Sequence, residues 1–147
     1  MPTASKAVAA ICLAIVTWWL LTTTLFPLLG EGYGTGYYLP IMVVLGALTG
    51  WRTIGPRAPE GLVAGVTFGF TGGVVLYVLA IFVAAAGMAL DYALQNRYRG
   101  PVEAFEGMLK IALDYVALSA RADVMGFLLA GAVGTGVIAS IVGRFAR

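Results

Sequence analysis

Apolar runs separated by short polar segments make up most of the 147-residue chain. A helix needs about 20 mostly apolar residues to cross the hydrocarbon core of a bilayer. Three runs have this length, and a shorter one is flanked by tyrosines and a tryptophan, which gather at membrane interfaces. The pattern predicts four transmembrane helices in a single domain of residues 1–147, with spans at about residues 7–26, 38–54, 61–90 and 122–142.

The orientation of these spans follows from the lysines and arginines near their ends, because such residues concentrate on the cytoplasmic side of membranes. With four spans, both chain ends share a side with the loop at 52–60, and the short loop at 30–38 contains no lysine or arginine. The loop between the third and fourth spans mixes basic and acidic residues. We therefore expect both termini in the cytoplasm, on the side that holds Lys6, Arg52, Arg57, Arg144 and Arg147.

The turn between the second and third spans has a distinctive composition, GWRTIGPRA at residues 50–58. Its Gly-Pro pair favours a tight turn, and its tryptophan is typical of a membrane interface. In the simplest interpretation, Trp51, Arg52 and Arg57 only set the orientation of the spans in the membrane. The alternative is that these three residues form a contact for an anionic lipid or an oxyanion.

Residues of about 101–118 are too polar to span a membrane but have helical periodicity. Pro101 suits a first helical turn, where its missing N–H is not needed. Acidic residues and Lys110 occupy one face, on which Glu106 and Lys110 are spaced for an i,i+4 ion pair. We predict an amphipathic helix at the outer interface. It either connects the spans or docks a partner through its apolar face of Phe105, Met108, Leu109, Ala112 and Tyr115.

Small residues recur at every fourth position inside the predicted spans. This spacing lets the backbones of two helices approach closely. The pattern predicts the contacts of a four-helix bundle, and self-association through the same surfaces is the alternative. The residues concerned are Gly46 and Gly50, then Gly61, Gly65, Gly69 and Gly73, and finally Ala122, Gly126, Ala130 and Gly134.

The composition excludes several classes of function. Charged residues make up 11% of the chain and hydrophobic residues 61%, whereas soluble domains have about 25% charged residues. A net charge of +2, with scattered basic residues, does not indicate nucleic-acid binding. One cysteine and no histidine exclude an internal disulfide, a histidine-bound haem and a Cys/His zinc site. We predict no catalytic residue, no metal and no cofactor.

Three stretches of the chain together resemble a known protein family: MPTASKAVAA at the start, GWRTIGPRA at 50–58 and RYRGPVEAF at 97–105. Together they resemble the tellurite-resistance TrgA family of small multi-pass bacterial membrane proteins. The resemblance implies a protein of the bacterial inner membrane that is associated with tellurite resistance, and it implies no catalytic residue. The matching positions are Trp51, Arg52, Gly55, Pro56, Arg57, Tyr98, Gly100, Pro101 and Glu103.

A direct reduction of tellurite would need electrons from thiols, haem, flavin or a metal. The lone Cys12 lies within the first apolar run, where little thiolate can form. We therefore expect a non-enzymatic protein that acts through oxyanion flux or envelope state. The alternative is a structural accessory subunit of a larger respiratory or photosynthetic complex. Membrane lipids are the expected partners, together with such a complex or a second copy of the chain.

Overall fold

The computed structural model describes residues 3–29, 36–57 and 60–145. Arg147 and most of the 30–38 loop, which entered the prediction of orientation, lie outside these ranges. Every regular element within them is helical. The elements are α1 (Thr3–Leu20), a π-helical turn (Leu21–Leu25), α2 (Phe26–Leu29), α3 (Tyr38–Thr49), a second π-helical turn (Gly50–Ile54), α4 (Leu62–Leu94), α5 (Pro101–Ser119) and α6 (Ala122–Phe145).

Three helical segments have the length and composition to cross a membrane, Ala4–Leu25, Leu62–Leu94 and Ala122–Phe145. The 33 residues of α4 extend about 50 Å, so this helix is longer than a hydrocarbon core of about 30 Å. A fourth apolar helix, Tyr38–Ile54, is shorter. The prediction of an all-helical membrane protein is thus confirmed. Whether the short helix crosses the membrane remains a prediction.

The first π-helical turn coincides with a run of three threonines. Thr22 Oγ1 donates a hydrogen bond to the Trp18 carbonyl at 2.9 Å, and Thr23 Oγ1 donates to the Trp19 carbonyl at 2.6 Å. Threonines commonly form such bonds within helices, and Thr67 and Thr71 form them in the regular helix α4. These local hydrogen bonds are a sufficient structural explanation for the threonines, and the sequence indicates no further role for them.

The beginning of α1, the α3–α4 turn and the end of α6 meet at one end of the bundle. Ser5 Oγ donates a hydrogen bond to the Gly55 carbonyl at 3.1 Å, across 50 residues of sequence. A Cβ atom built on Gly61 would lie 4.0 Å from Nη2 of Arg144. We call this region the basic end, defined by Lys6, Arg52, Arg57 and Arg144.

The core lies where α6 packs against both α1 and α4, and α3 packs mainly against α1 with fewer contacts to α4. In lipid, helices associate through close packing rather than through the hydrophobic effect. Small side chains therefore share the core with a few large ones. The buried cluster consists of Ala9, Leu13, Leu20, Ile54, Leu76, Val124, Leu128, Ala132 and Ala139.

Three glycines of α4, Gly65, Gly69 and Gly73, lie at its contact with α6. A Cβ atom built on Gly65 would lie 2.6 Å from the Gly136 carbonyl oxygen, and one on Gly69 would lie 2.7 Å from the Ala132 carbonyl oxygen. Gly73 faces the Ala132 side chain. Gly61, by contrast, precedes the helix and has a φ of 145°, a conformation that favours glycine. It is a turn residue rather than a helix-packing residue.

The face of α6 that packs against α4 differs from the predicted one. The packed series is Leu128, Ala132, Gly136 and Ser140, two positions beyond the predicted series of Gly126, Ala130 and Gly134. Two residues correspond to about 200° around a helix. Gly126 and Ala130 are accordingly exposed, and a Cβ atom on Gly126 or Gly134 would meet nothing within 4 Å.

Local contacts determine where α4 ends and α5 begins. Asn96, just after α4, adopts a φ of 55°, which asparagine tolerates better than most residues. Pro101 occupies the first turn of α5, and Glu103 accepts a hydrogen bond from the Arg99 N–H at 2.8 Å. The stretch RYRGPVEAF thus has a structural role as the start of a helix.

The helix α5 folds back onto α4. Tyr115 donates a hydrogen bond to Met88 Sδ at 3.5 Å, and the hydroxyls of Tyr77 and Ser119 are 2.9 Å apart. The predicted ion pair between Glu106 and Lys110 is not formed. Within the described residues, Arg121 and Asp123 form the single ion pair, at 3.8 Å.

Candidate functional site

Two glycines let the α3–α4 turn rest directly on the first turns of α1. A Cβ atom built on Gly50 would overlap the Ala9 carbonyl oxygen, and one built on Gly55 would lie 2.6 Å from Cα of Lys6. The side chain of Ile54 is fully buried and contacts Gly72 of α4. These contacts hold the turn between α1 and α4.

The π-helical turn Gly50–Ile54 carries Trp51 and Arg52 of the predicted site, and Arg57 follows three residues after it. The Gly55 N–H donates to the Gly50 carbonyl at 2.9 Å, an i→i+5 bond that widens the helix by one residue. Such π-bulges occur frequently at functional sites. The turn buries Ile54 while Trp51 and Arg52 stay exposed, so its aromatic and charged side chains are presented to the surroundings.

The two arginines of the turn have different environments. Both side chains are exposed, and the guanidinium carbon of Arg57 in addition lies 4.7 Å above the centre of the Phe68 ring. Stacking of this kind occupies a face of the guanidinium and leaves the N–H groups at its edge available to an anion. Neither arginine forms an ion pair with a carboxylate of the described residues.

Both arginines line an open groove of about 680 Å³ between α3 and α4. The groove is open along one side, so a molecule in it stays in contact with the surroundings. Beyond the turn the groove continues between apolar side chains of the two helices. The residues that line it are Leu45, Leu48, Thr49, Arg52, Thr53, Pro56, Arg57, Val75 and Leu79.

The charges of the described residues are distributed unevenly between the two ends of the bundle. The basic end has four basic residues and one acidic residue, Glu60, and so carries a net charge of +3. The opposite end has four basic residues and five acidic ones, a net charge of −1. An anion is therefore attracted to the end at which the groove opens.

A second, apolar cavity of about 120 Å³ lies near the other end of the bundle, beside α5. It is of the size that holds a single small apolar group. Its walls are mostly aliphatic, and hydroxyls of Tyr77 and Ser119 pair with each other there. The arrangement offers space without a polar group that would orient a ligand.

The predicted apolar face of α5 is divided in two. Met108, Ala112 and Tyr115 are half-buried, whereas Phe105 is 59% exposed and Leu109 47% exposed. The exposed pair belongs to a stripe in which residues follow at helical spacing. We call it the α5 stripe, and it comprises Val102, Phe105, Leu109, Leu113 and Val116.

Residues that could bind a metal do not come together in the described part of the chain. It contains no group of three or more histidine, cysteine, aspartate or glutamate residues that could hold a metal ion. Cys12 lies half-buried in α1 without a disulfide partner.

Sequence reasoning identified the arginines of the site but missed its apolar half. Phe68, Val75 and Leu79 all come from α4, more than ten residues after the turn. No local pattern connects them to the arginines, because one apolar position of a membrane helix resembles another.

The described residues define a class of protein: all their regular elements are helical, and three of the helices are long and apolar enough to cross a membrane. Comparison of the chain with protein-family models, with curated proteins and with solved structures finds no match.

Proposed function

We propose that the chain is a non-enzymatic protein of the bacterial inner membrane that raises tolerance to tellurite through oxyanion flux or envelope state. The observation that carries this proposal is the pair of arginines at the mouth of a groove, held by the glycine turn and without an ion pair to any carboxylate in the described ranges. The resemblance to the TrgA family supplies the link with tellurite. The apolar continuation of the groove favours an action on the envelope over passage of an ion.

Four spans with both termini in the cytoplasm fit this proposal. The short helix has twelve α-helical and five π-helical residues and so extends about 25 Å. Local thinning of the bilayer accommodates a deficit of a few ångströms. Exposed aromatic residues lie near its two ends, Tyr37 just before the helix and Trp51 within its π-helical turn, and such residues favour membrane interfaces. The positive charge of the basic end supports its cytoplasmic location.

We expect Arg52→Ala and Arg57→Ala to lower tellurite tolerance, and the double variant to approach a strain that lacks the protein. The reason is that both side chains donate to the same anion at the groove. Growth on a tellurite gradient measures the effect, with membrane levels of each variant matched by immunoblot. Arg97→Ala is the matched control, since Arg97 stacks on Tyr92 at 5.0 Å at the opposite end. Unchanged tolerance of the double variant at equal protein levels would refute the role of the arginines.

A structural accessory subunit of a larger inner-membrane complex is the second candidate function. The α5 stripe favours it, because five apolar side chains lie uncovered on a helix that already packs against α4. The outward face of α6, with Gly126 and Ala130 exposed, offers a second surface for close approach.

If the accessory role is correct, the tagged protein should migrate with a much larger complex after extraction in a mild detergent. Phe105→Glu should release it, because a charge would be buried in the contact. Glu106→Gln, one position along on the polar face, should leave the complex intact. Native gels and mass spectrometry of the bound proteins measure this. Recovery of the unmodified protein without partners would argue against the accessory role.

A further inference from the structure

The groove between α3 and α4 changes in polarity along its length. At the turn it is bordered by the guanidinium groups of Arg52 and Arg57, and further on by Leu45, Val75 and Leu79. A ligand that satisfies both parts must have an anionic head and an apolar tail. Within the bilayer an anionic phospholipid has this structure.

We propose that the groove binds one anionic phospholipid, with its phosphate against Arg52 and Arg57 and one acyl chain between α3 and α4. Guanidinium groups donate parallel N–H bonds to phosphate oxygens. Phe68 holds the guanidinium of Arg57 against α4, and this contact reduces the entropy that the side chain loses when a phosphate binds.

The helical walls favour a lipid over a free oxyanion. Leu48 is 60% exposed and Leu79 39% exposed, and both border the groove. A free oxyanion would contact only the arginine end and would gain no binding energy from these walls. An acyl chain covers them, and its phosphate then lies at the level of Trp51, an interfacial residue.

Arg97, at the opposite end of the bundle, provides a control for Arg57. Arg97 stacks on Tyr92 much as Arg57 stacks on Phe68. Arg97 lies in the part of the chain whose acidic residues outnumber the basic ones. Removal of Arg97 thus removes the same charge and the same type of stacking without altering the groove.

The inference rests on the proposed placement of the basic end at a membrane surface, and it does not depend on tellurite. The test is native mass spectrometry of the detergent-purified protein after addition of phosphatidylglycerol or of zwitterionic phosphatidylcholine. We expect one retained phosphatidylglycerol and a clear preference for it. The apparent affinity for phosphatidylglycerol should fall about fivefold in Arg52→Gln or Arg57→Gln and about thirtyfold in the double variant. Arg97→Gln should retain the lipid like the unmodified protein.

Two variants test the apolar half of the groove without a change in charge. Leu48→Trp fills it from α3 and Val75→Phe from α4, and circular dichroism verifies that each variant keeps its helical content. Both should lose phosphatidylglycerol. Equal retention of the two lipids would overturn the proposal. The proposal would also be overturned if both filling variants retained phosphatidylglycerol unchanged and inorganic phosphate displaced it. That result would identify a site for free anions.

The outcomes separate this inference from the proposed function. Lipid retention is measured on purified protein in the absence of tellurite. If the arginine variants lose tolerance but keep phosphatidylglycerol, the lipid site is wrong and the proposed function stands. If they lose phosphatidylglycerol but keep tolerance, the lipid site stands and the proposed role of the arginines in resistance is wrong.

Discussion

Gly136→Ala should destabilise the protein by about 3 kcal/mol, the upper part of the range for overpacked cores. A Cβ atom at this position would overlap the carbonyl oxygen of Gly65 and lie 3.1 Å from Cα of Gly69. Both neighbours are backbone atoms of α4, so no side chain can rotate to make room. The two helices must separate, and they lose packing along their shared length.

Gly126→Ala, in the same helix, is the matched control. A Cβ atom at this position would meet nothing within 4 Å, and alanine is favoured over glycine in helices by about 1 kcal/mol. This variant should be as stable as the unmodified protein or slightly more stable. Unfolding in mixed micelles with increasing dodecyl sulfate, followed by circular dichroism, gives both free energies. Equal effects of the two substitutions would contradict the observed packing of α6.

The sequence alone does not distinguish the packed glycine, Gly136, from the unpacked one, Gly126. Two series that contain small residues run along α6 at the same spacing, and Gly126 and Ala130 of the predicted series are exposed. In a soluble protein, polar side chains would mark the outer face of a helix. In a membrane helix the outer face contacts lipid and is as apolar as the packed face. The stripe on α4 was easier to identify because Gly65, Gly69 and Gly73 form a single uninterrupted series.

The helix α5 shows the same limit in another form. Its beginning can be predicted, because Pro101 and Glu103 act within one turn of the helix. Its apolar side chains suggest one face, yet Tyr115 packs on α4 while Phe105 stays exposed. Hydrophobic periodicity separates polar from apolar faces and does not divide an apolar face between two neighbours.

Only the residues of the turn itself could be predicted as part of the candidate site. Arg52 and Arg57 are five residues apart and belong to one turn. Phe68, which holds Arg57, and Val75, which borders the groove, come from a helix whose rotation about its axis only the fold determines. The sequence thus indicated a contact for the anionic head of the proposed ligand. It did not indicate the apolar surface that would bind the acyl chain.

The second large effect is expected at Gly55. Gly55→Ala should destabilise the protein by about 2 kcal/mol and should also lower the retention of phosphatidylglycerol. A Cβ atom on this residue would lie 2.6 Å from Cα of Lys6 and 2.8 Å from its Cγ. The Cγ atom can move with the side chain, but the Cα atom belongs to α1. The turn must therefore shift away from α1, and the neighbouring arginines shift with it.

Gly134→Ala is the control, because a Cβ atom on Gly134 would meet nothing within 4 Å; neither stability nor lipid retention should fall. Arg52→Gln completes the comparison. Its exposed side chain should change stability by less than about 0.5 kcal/mol while it weakens lipid binding. If Gly55→Ala lowered stability without any effect on the lipid, the glycines would serve the bundle alone. A loss of both stability and lipid retention would mean that Gly55 positions the turn on α1. It would also mean that this position allows the arginines of the turn to bind the phospholipid.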